Sequence, residues 1–163
     1  MFDCAVVNAS PLIYLSKSGL LNLLELSAHR LVVPRVVLNE LSVKEALDGC
    51  MQRVLDLPGI CVVEAITIPD VIREWDLGPG ESAVLAYALN NPGTPAILDD
   101  LAGRRCAETL GLPLRGTVGL VLRAKQSGAI PSALETFALL KSNGMYLSDH
   151  VINQVLGLVG ERI

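Results

Sequence analysis

LGPGESAVLAYALNNPGTPAILDDLAGRRCAETLGL, Leu77 to Leu112, decides the fold. Pro79-Gly80 opens a helix over Glu81–Leu89, which Asn90-Asn91-Pro92-Gly93 breaks. Ala96–Leu98 reads as a short apolar strand with Asp99 and Asp100 at its end. Leu101–Leu110 reads as a second helix that carries Arg104 and Arg105 and stops at Gly111. Helix, buried strand and helix in quick succession point to an α/β fold with a parallel sheet. Ligands of such sheets bind beyond the carboxyl ends of the strands. Carboxylates gathered there suit a hard divalent cation.

The rest of the chain repeats this alternation. Further strands are expected at Cys4–Val7, Leu31–Val33, Ile60–Val63 and Pro113–Arg115. Helices are expected at Pro11–Lys17 with Ser10 as N-cap, at Leu20–Leu26, and at Arg35–Leu47. Another runs over roughly Lys44–Leu55, either separate from the last or continuous with it. Pro69–Trp75, Val118–Gln126, Pro131–Ser142 and Ser148–Leu156, with Ser148 as N-cap, complete the set.

At 163 residues the chain, 1–163, is expected to form one domain. Hydrophobic residues make up 51% and aromatics only 4%, so Leu, Val, Ile and Ala must build the core. That enrichment also hints at surface covered by a partner such as a second copy. No apolar run approaches the roughly 20 residues that span a bilayer, and the N-terminus has no signal-peptide pattern. A cytoplasmic protein with no membrane contact is the expectation. Cys4, Cys50, Cys61 and Cys106 form no C-x-x-C pair and read as reduced, buried apolar residues. His29, expected in a loop or at a helix end, and His150, on the surface, lie at no zinc-ligand spacing from them. Trp75 and Tyr14 read as packing residues, with base stacking the alternative for Trp75, and the stripe Val118–Leu122 reads as core.

Net charge is −4, which argues against nonspecific coating of nucleic acid. Its distribution is uneven. Glu64 to Asp100 holds seven acids and one base, whereas Leu101 to Leu134 holds five bases and one acid. An acidic locus beside a basic one suits metal-assisted chemistry on a phosphodiester; ordinary surface variation is the alternative.

Adjacent strand residues point to opposite faces, and the helix after Asp100 needs an N-cap. Of the pair, Asp99 is favoured as a ligand because it sits closer to the strand end; both serving as cap or turn residues is the alternative. Glu81 favours its helix dipole by roughly 0.3–1 kcal/mol, or the Gly-Pro-Gly turn aims it into the crevice. Glu40 sits in an apolar helical stretch beside Leu41 and either faces solvent or is drawn inward, where a carboxylate needs a partner or a metal. Asn8 ends the first strand and offers a neutral carbonyl oxygen to a cation or caps a turn. Ser10 is a cap first and a water-mediated ligand second. Arg104 or Arg105 can reach a phosphate bidentately or pair with Glu108 along the helix.

Together, VVNASPLIYLSKSGLLNLL, VPRVVLNEL, LGPGESAVLAYAL and AILDDLAGRRCAETLGLPLRGTVGLVLRAKQSGAI cover most of the chain. In these motifs it resembles the PIN-domain nucleases, most closely the branch described as VapC-type toxins or predicted nucleic-acid-binding proteins. The resemblance implies a three-layer fold with a small parallel sheet of about four or five strands flanked by helices. It implies an acidic pocket for Mg2+ or Mn2+, single-stranded RNA as substrate, and commonly a homodimer held by an antitoxin protein. By motif, Glu40, Glu81 and Asp99 match the family's acids, Asp100 lies beside the last, and Thr117 matches a hydroxyl position near the pocket. Asn8 stands where the family pattern has its first Asp.

Three functions follow. In a metal-dependent ribonuclease, Glu40, Glu81 and Asp99 are catalytic acids, Asn8 and Asp100 complete the cation set, and Ser10, Arg104, Arg105 and Thr117 meet the substrate. A non-catalytic PIN-like module that binds RNA or protein is the alternative, supported by Asn8. A receiver-like phospho-acceptor would need acids at the first and third strand ends, and the first strand ends in Asn.

Overall fold

The computed structural model describes residues 1–44 and 49–163. Five strands form one all-parallel sheet in the order β3-β2-β1-β4-β5. They are β1 (Phe2–Val7), β2 (Ala28–Pro34), β3 (Ile60–Val63), β4 (Ala96–Ile97) and β5 (Leu114–Arg115). The chain steps outward from β1 to one edge, then crosses back to fill the other side. The reversal therefore falls between β1 and β4, where an open α/β sheet places its crevice. The in–out alternation of a half-covered strand is absent from β1; Ala5, Val6 and Val7 are all fully buried, as two covered faces require.

Helices α1 (Ala9–Lys17), α2 (Arg35–Lys44), α3 (Cys50–Leu55), α4 (Asp70–Arg73), α5 (Pro79–Asn90), α6 (Leu101–Thr109), α7 (Thr117–Gln126), α8 (Ala133–Ser142) and α9 (Asp149–Leu156) flank the sheet in the expected three-layer α/β arrangement. Helix α5 packs across β1, β2 and β4 through Val84, Leu85, Ala86 and Ala88. Leu12, Leu24, Leu31, Ile97, Leu98 and Phe137 are among the fully buried side chains of the core. Among the described residues no helix is long and apolar enough to cross a membrane.

Several boundaries differ from the sequence reading. Helix α1 starts at Ala9, so Asn8 occupies the N-cap position expected for Ser10. Pro11 then falls inside the first turn, where its missing N–H is still harmless. Leu21–Leu26 is a 3-10 helix, not an α-helix, squeezed between Gly19 and β2. His29 lies in β2, because pairing with the long central strand extends as far back as Phe2↔Ala28. Cys61 is half-buried, since β3 is an edge strand, whereas Cys4, Cys50 and Cys106 are buried as expected. In the Val118–Leu122 stripe only Leu120 and Val121 are core; Val118 and Leu122 line a cavity. Lys44, the expected start of the second of the helices over Arg35–Leu47 and Lys44–Leu55, lies in α2, and the expected end of the first falls on residues 45–48, outside the described residues.

Candidate active site

β1 and β4 are neighbours, so the residues that follow them are too. The Asn8 N–H donates to the Ile97 carbonyl at 2.9 Å, which extends the ladder past the end of β1. The residue is 4% exposed, and its Oδ1 is buried with no hydrogen-bond partner among the described residues. Asn8 holds the N-cap backbone conformation of α1 yet caps nothing with its side chain. A buried amide oxygen left in this way costs about 1–3 kcal/mol, and such a group calls for an explanation in terms of a ligand or ion.

Glu40 reaches the same place from α2. Its Oε1 accepts from the Gly80 N–H at 3.0 Å. A Cβ on Gly80 would overlap Glu40 Oε1 and stand 3.3 Å from Asn8 Oδ1. Two hard oxygens, one anionic and one neutral, thus face the first turn of α5. Glu81 is the next residue, in the same first turn behind N-cap Gly78. Its carboxylate lies over α6, where a Cβ on Gly103 would stand 3.1 Å from Oε2.

Asp99 follows β4 and is held by the start of α7. Thr117 donates its N–H to Oδ1 at 2.7 Å and its hydroxyl to Oδ2 at 2.6 Å. Burial raises the Asp99 pKa above the ordinary Asp value; the two Thr117 bonds and nearby Arg104 pull the other way. Asp100 is the N-cap of α6 and accepts from Ala102 N at 3.0 Å and Gly103 N at 3.3 Å. Arg104 folds back to donate to the Leu98 carbonyl at 3.3 Å, and a Cβ on Gly116 would stand 2.5 Å from its Nη1 and 3.0 Å from Asp99 Oδ1.

The structure therefore groups Asn8 with Glu40, and Asp99 with Thr117 and Arg104, with Glu81 on the turn of α5 that adjoins both Gly80 and α6. Among the described residues no three His, Cys, Asp or Glu side chains gather as a ready-made ligand group. The oxygen donors of Asn8 and Glu40, one of them orphaned, fit a hard cation that keeps part of its water shell. Ser10, Asp99, Asp100 and Arg104 line a cavity of about 870 Å³. Asn8, Glu40, Glu81 and Thr117 lie outside that lining, and Arg105 is exposed on α6. His29 and His150 are both exposed, and Trp75 packs partly buried against the core.

Sequence reasoning missed two features. One is the role of Gly80, Gly103 and Gly116 as space for Glu40, Glu81 and Asp99; the only signal was that two of them directly precede a candidate residue, Glu81 or Thr117. The other is Arg115 and Arg123, which also line the cavity. They were visible as part of the basic run but had no motif to single them out.

No curated protein matches the chain. A family model described as a PIN domain matches residues 4–161, a span that takes in the whole sheet apart from its first residues and every candidate side chain. On that match, the chain belongs to the PIN-domain family.

Proposed function

We propose that this chain, acting as one domain, is a divalent-cation-dependent ribonuclease that cleaves single-stranded RNA, and that it works as a VapC-type toxin, homodimeric and restrained by an antitoxin protein in the cytoplasm. Family membership supports nuclease chemistry. The observation that carries the cation reading is the buried, unpartnered Oδ1 of Asn8 beside Glu40 Oε1. Glu40 and Asn8 would hold Mg2+ or Mn2+, with Glu81, Asp99 and Asp100 supplying the surrounding negative charge. Magnesium needs only one or two direct carboxylates, so a set that does not close into a tight cage is still adequate. When bound, such an ion supplies a water of lowered pKa and a counter-charge for the transition state.

The chain's own groups do the rest. The Gly80 N–H fixes the Glu40 carboxylate, and Thr117 orients Asp99 and favours its ionised form. Ser10 and Arg104 present a hydroxyl and a guanidinium to the cavity in which a strand would lie, and Arg105 offers a solvent-facing charge one residue further along α6. Incubation of purified protein with unstructured RNA and Mn2+ tests the proposal. Cleavage is expected, and Glu81→Gln or Asp99→Asn should abolish it.

A second reading is a non-catalytic RNA- or protein-binding module. It is supported by the neutral Asn8 and by Thr117 engaging both oxygens of Asp99. If the natural chain leaves RNA intact while Asn8→Asp cleaves it, a nuclease site that has lost its chemistry is the correct description. If neither cleaves and RNA binding persists in chelator, the binding module stands.

A further inference from the structure

The cavity has guanidinium groups that the cation chemistry leaves unused. Arg115 ends β5 and Arg123 lies on α7, and both line the cavity that also takes in Asp99 and Asp100. Arg115 is wedged over the Phe2 ring, 5.4 Å from its centroid, and its Nη1 is shut from solvent with no hydrogen-bond partner among the described residues. Arg123 is pinned by its Nε, which donates to the Leu26 carbonyl at 3.0 Å. Neither guanidinium is ion-paired among the described residues. Burial first, and the positive charge of Arg123 second, push the Arg115 pKa down. Two like charges on residues that line one cavity, one of them partly desolvated, are unfavourable until an anion joins them, and a guanidinium fork is shaped for the two oxygens of a phosphate.

The cavity is far larger than one phosphate. Leu114, Val118 and Leu122 give it an apolar wall, and Tyr146, 89% exposed, stands among its lining residues. An exposed aromatic beside guanidinium groups is the combination on which single-stranded bases stack. We propose that Arg115 and Arg123 form a second subsite, holding a backbone phosphodiester of single-stranded nucleic acid that flanks the phosphate addressed by the acidic residues. The proposal rests on the nucleic-acid reading of the site but not on its being catalytic.

The test is fluorescence anisotropy with a short labelled oligouridylate in chelator, over a series of KCl concentrations, alongside thermal melts. Arg115→Met keeps the packing on Phe2 and removes the charge. It should weaken binding by about tenfold or more and reduce the log–log salt slope by about 0.7. Its melting temperature without RNA should hold or rise, because an uncompensated charge is gone. Arg115→Lys should restore part of the slope. A merely structural Arg115 would lower the melting temperature and leave the slope alone, and that result would overturn the proposal. So would inorganic phosphate stabilising the protein as strongly as the oligonucleotide, which would make this a small-anion site. A chain that does not cleave RNA but loses binding on Arg115→Met keeps the subsite and sinks the nuclease; a chain that cleaves with an unchanged slope in Arg115→Met does the reverse.

Discussion

Thr117 gives both of its donors to Asp99, the backbone N–H to one carboxylate oxygen and the hydroxyl to the other. Asp99 is thereby oriented from the start of α7 while it projects from the end of β4. The threonine is buried, and its hydroxyl is spent on that carboxylate. Thr117→Val preserves shape and the N–H but deletes the hydroxyl. It should lower stability in chelator by about 1.5–3 kcal/mol, the worth of a hydrogen bond to a charged group, as read by urea denaturation. Thr117→Ser should recover most of that loss. RNA cleavage should fall in the valine variant in parallel.

Asn8→Asp places a second carboxylate beside Glu40. Without a cation the two repel in a buried site, and stability should drop by about 1–3 kcal/mol. With Mn2+ the order should invert, since an ion that binds only the folded state stabilises it more the tighter it binds. The check is the Mn2+-induced shift in melting temperature, expected to be larger for Asn8→Asp than for the natural chain. An equal or smaller shift would show that no cation sits between residues 8 and 40.

Gly80→Ala separates site geometry from helix stability. The added Cβ would strike Glu40 Oε1 and break its bond to the residue 80 N–H. Meanwhile an alanine inside α5 gains up to about 1 kcal/mol of helix propensity. Melting in chelator should therefore change little, whereas the cation-induced shift and RNA cleavage should both shrink. If melting collapses and the cation response survives, Gly80 serves packing alone.

Glu161 gives a pH signature remote from the site. Its carboxylate accepts from Leu134 N at 2.8 Å and Ala133 N at 3.0 Å and meets Lys125 Nζ at 3.0 Å. These contacts pull its pKa from 4.5 down to about 2. The folded pKa lies below the unfolded one, so the stabilisation is complete above about 4.5 and disappears as pH falls towards about 2. Glu161→Gln should show a flatter loss of stability across that interval than the natural chain. Identical acid-denaturation slopes would refute the linkage.

How much of this was legible in the sequence depended on what each residue's neighbours in the chain could specify. Ile60–Val63 and the caps at Ser148 and Asp100 were readable because local pattern alone determines them. The first residues of β2 were not, because His29 and Arg30 are strand only by virtue of pairing with β1. Asn8 was expected to end a strand but not to start a helix, since the tight entry into α1 is set by the Ile97 carbonyl far along the chain. The acids were identifiable as candidates by position, yet their separation into two groups was not. That division comes from where Gly80, Gly103 and Gly116 allow side chains to pass, and the meaning of a missing Cβ emerges only once α2, α6 and β4 are in place around it.

The strand order has a corollary for biosynthesis. β1 is made first but sits in the middle, and its far flank stays open until Ala96–Ile97 arrives to pair with Val6–Val7. A nascent chain that stops short of residue 96 therefore carries Asn8, Glu40 and Glu81 on a scaffold whose β1 flank is still an unpaired edge, and has neither Asp99 nor the threonine that orients it. The candidate acidic set is thus incomplete until most of the polypeptide has left the ribosome, and it closes only when β4 docks on the flank of the strand that was made first.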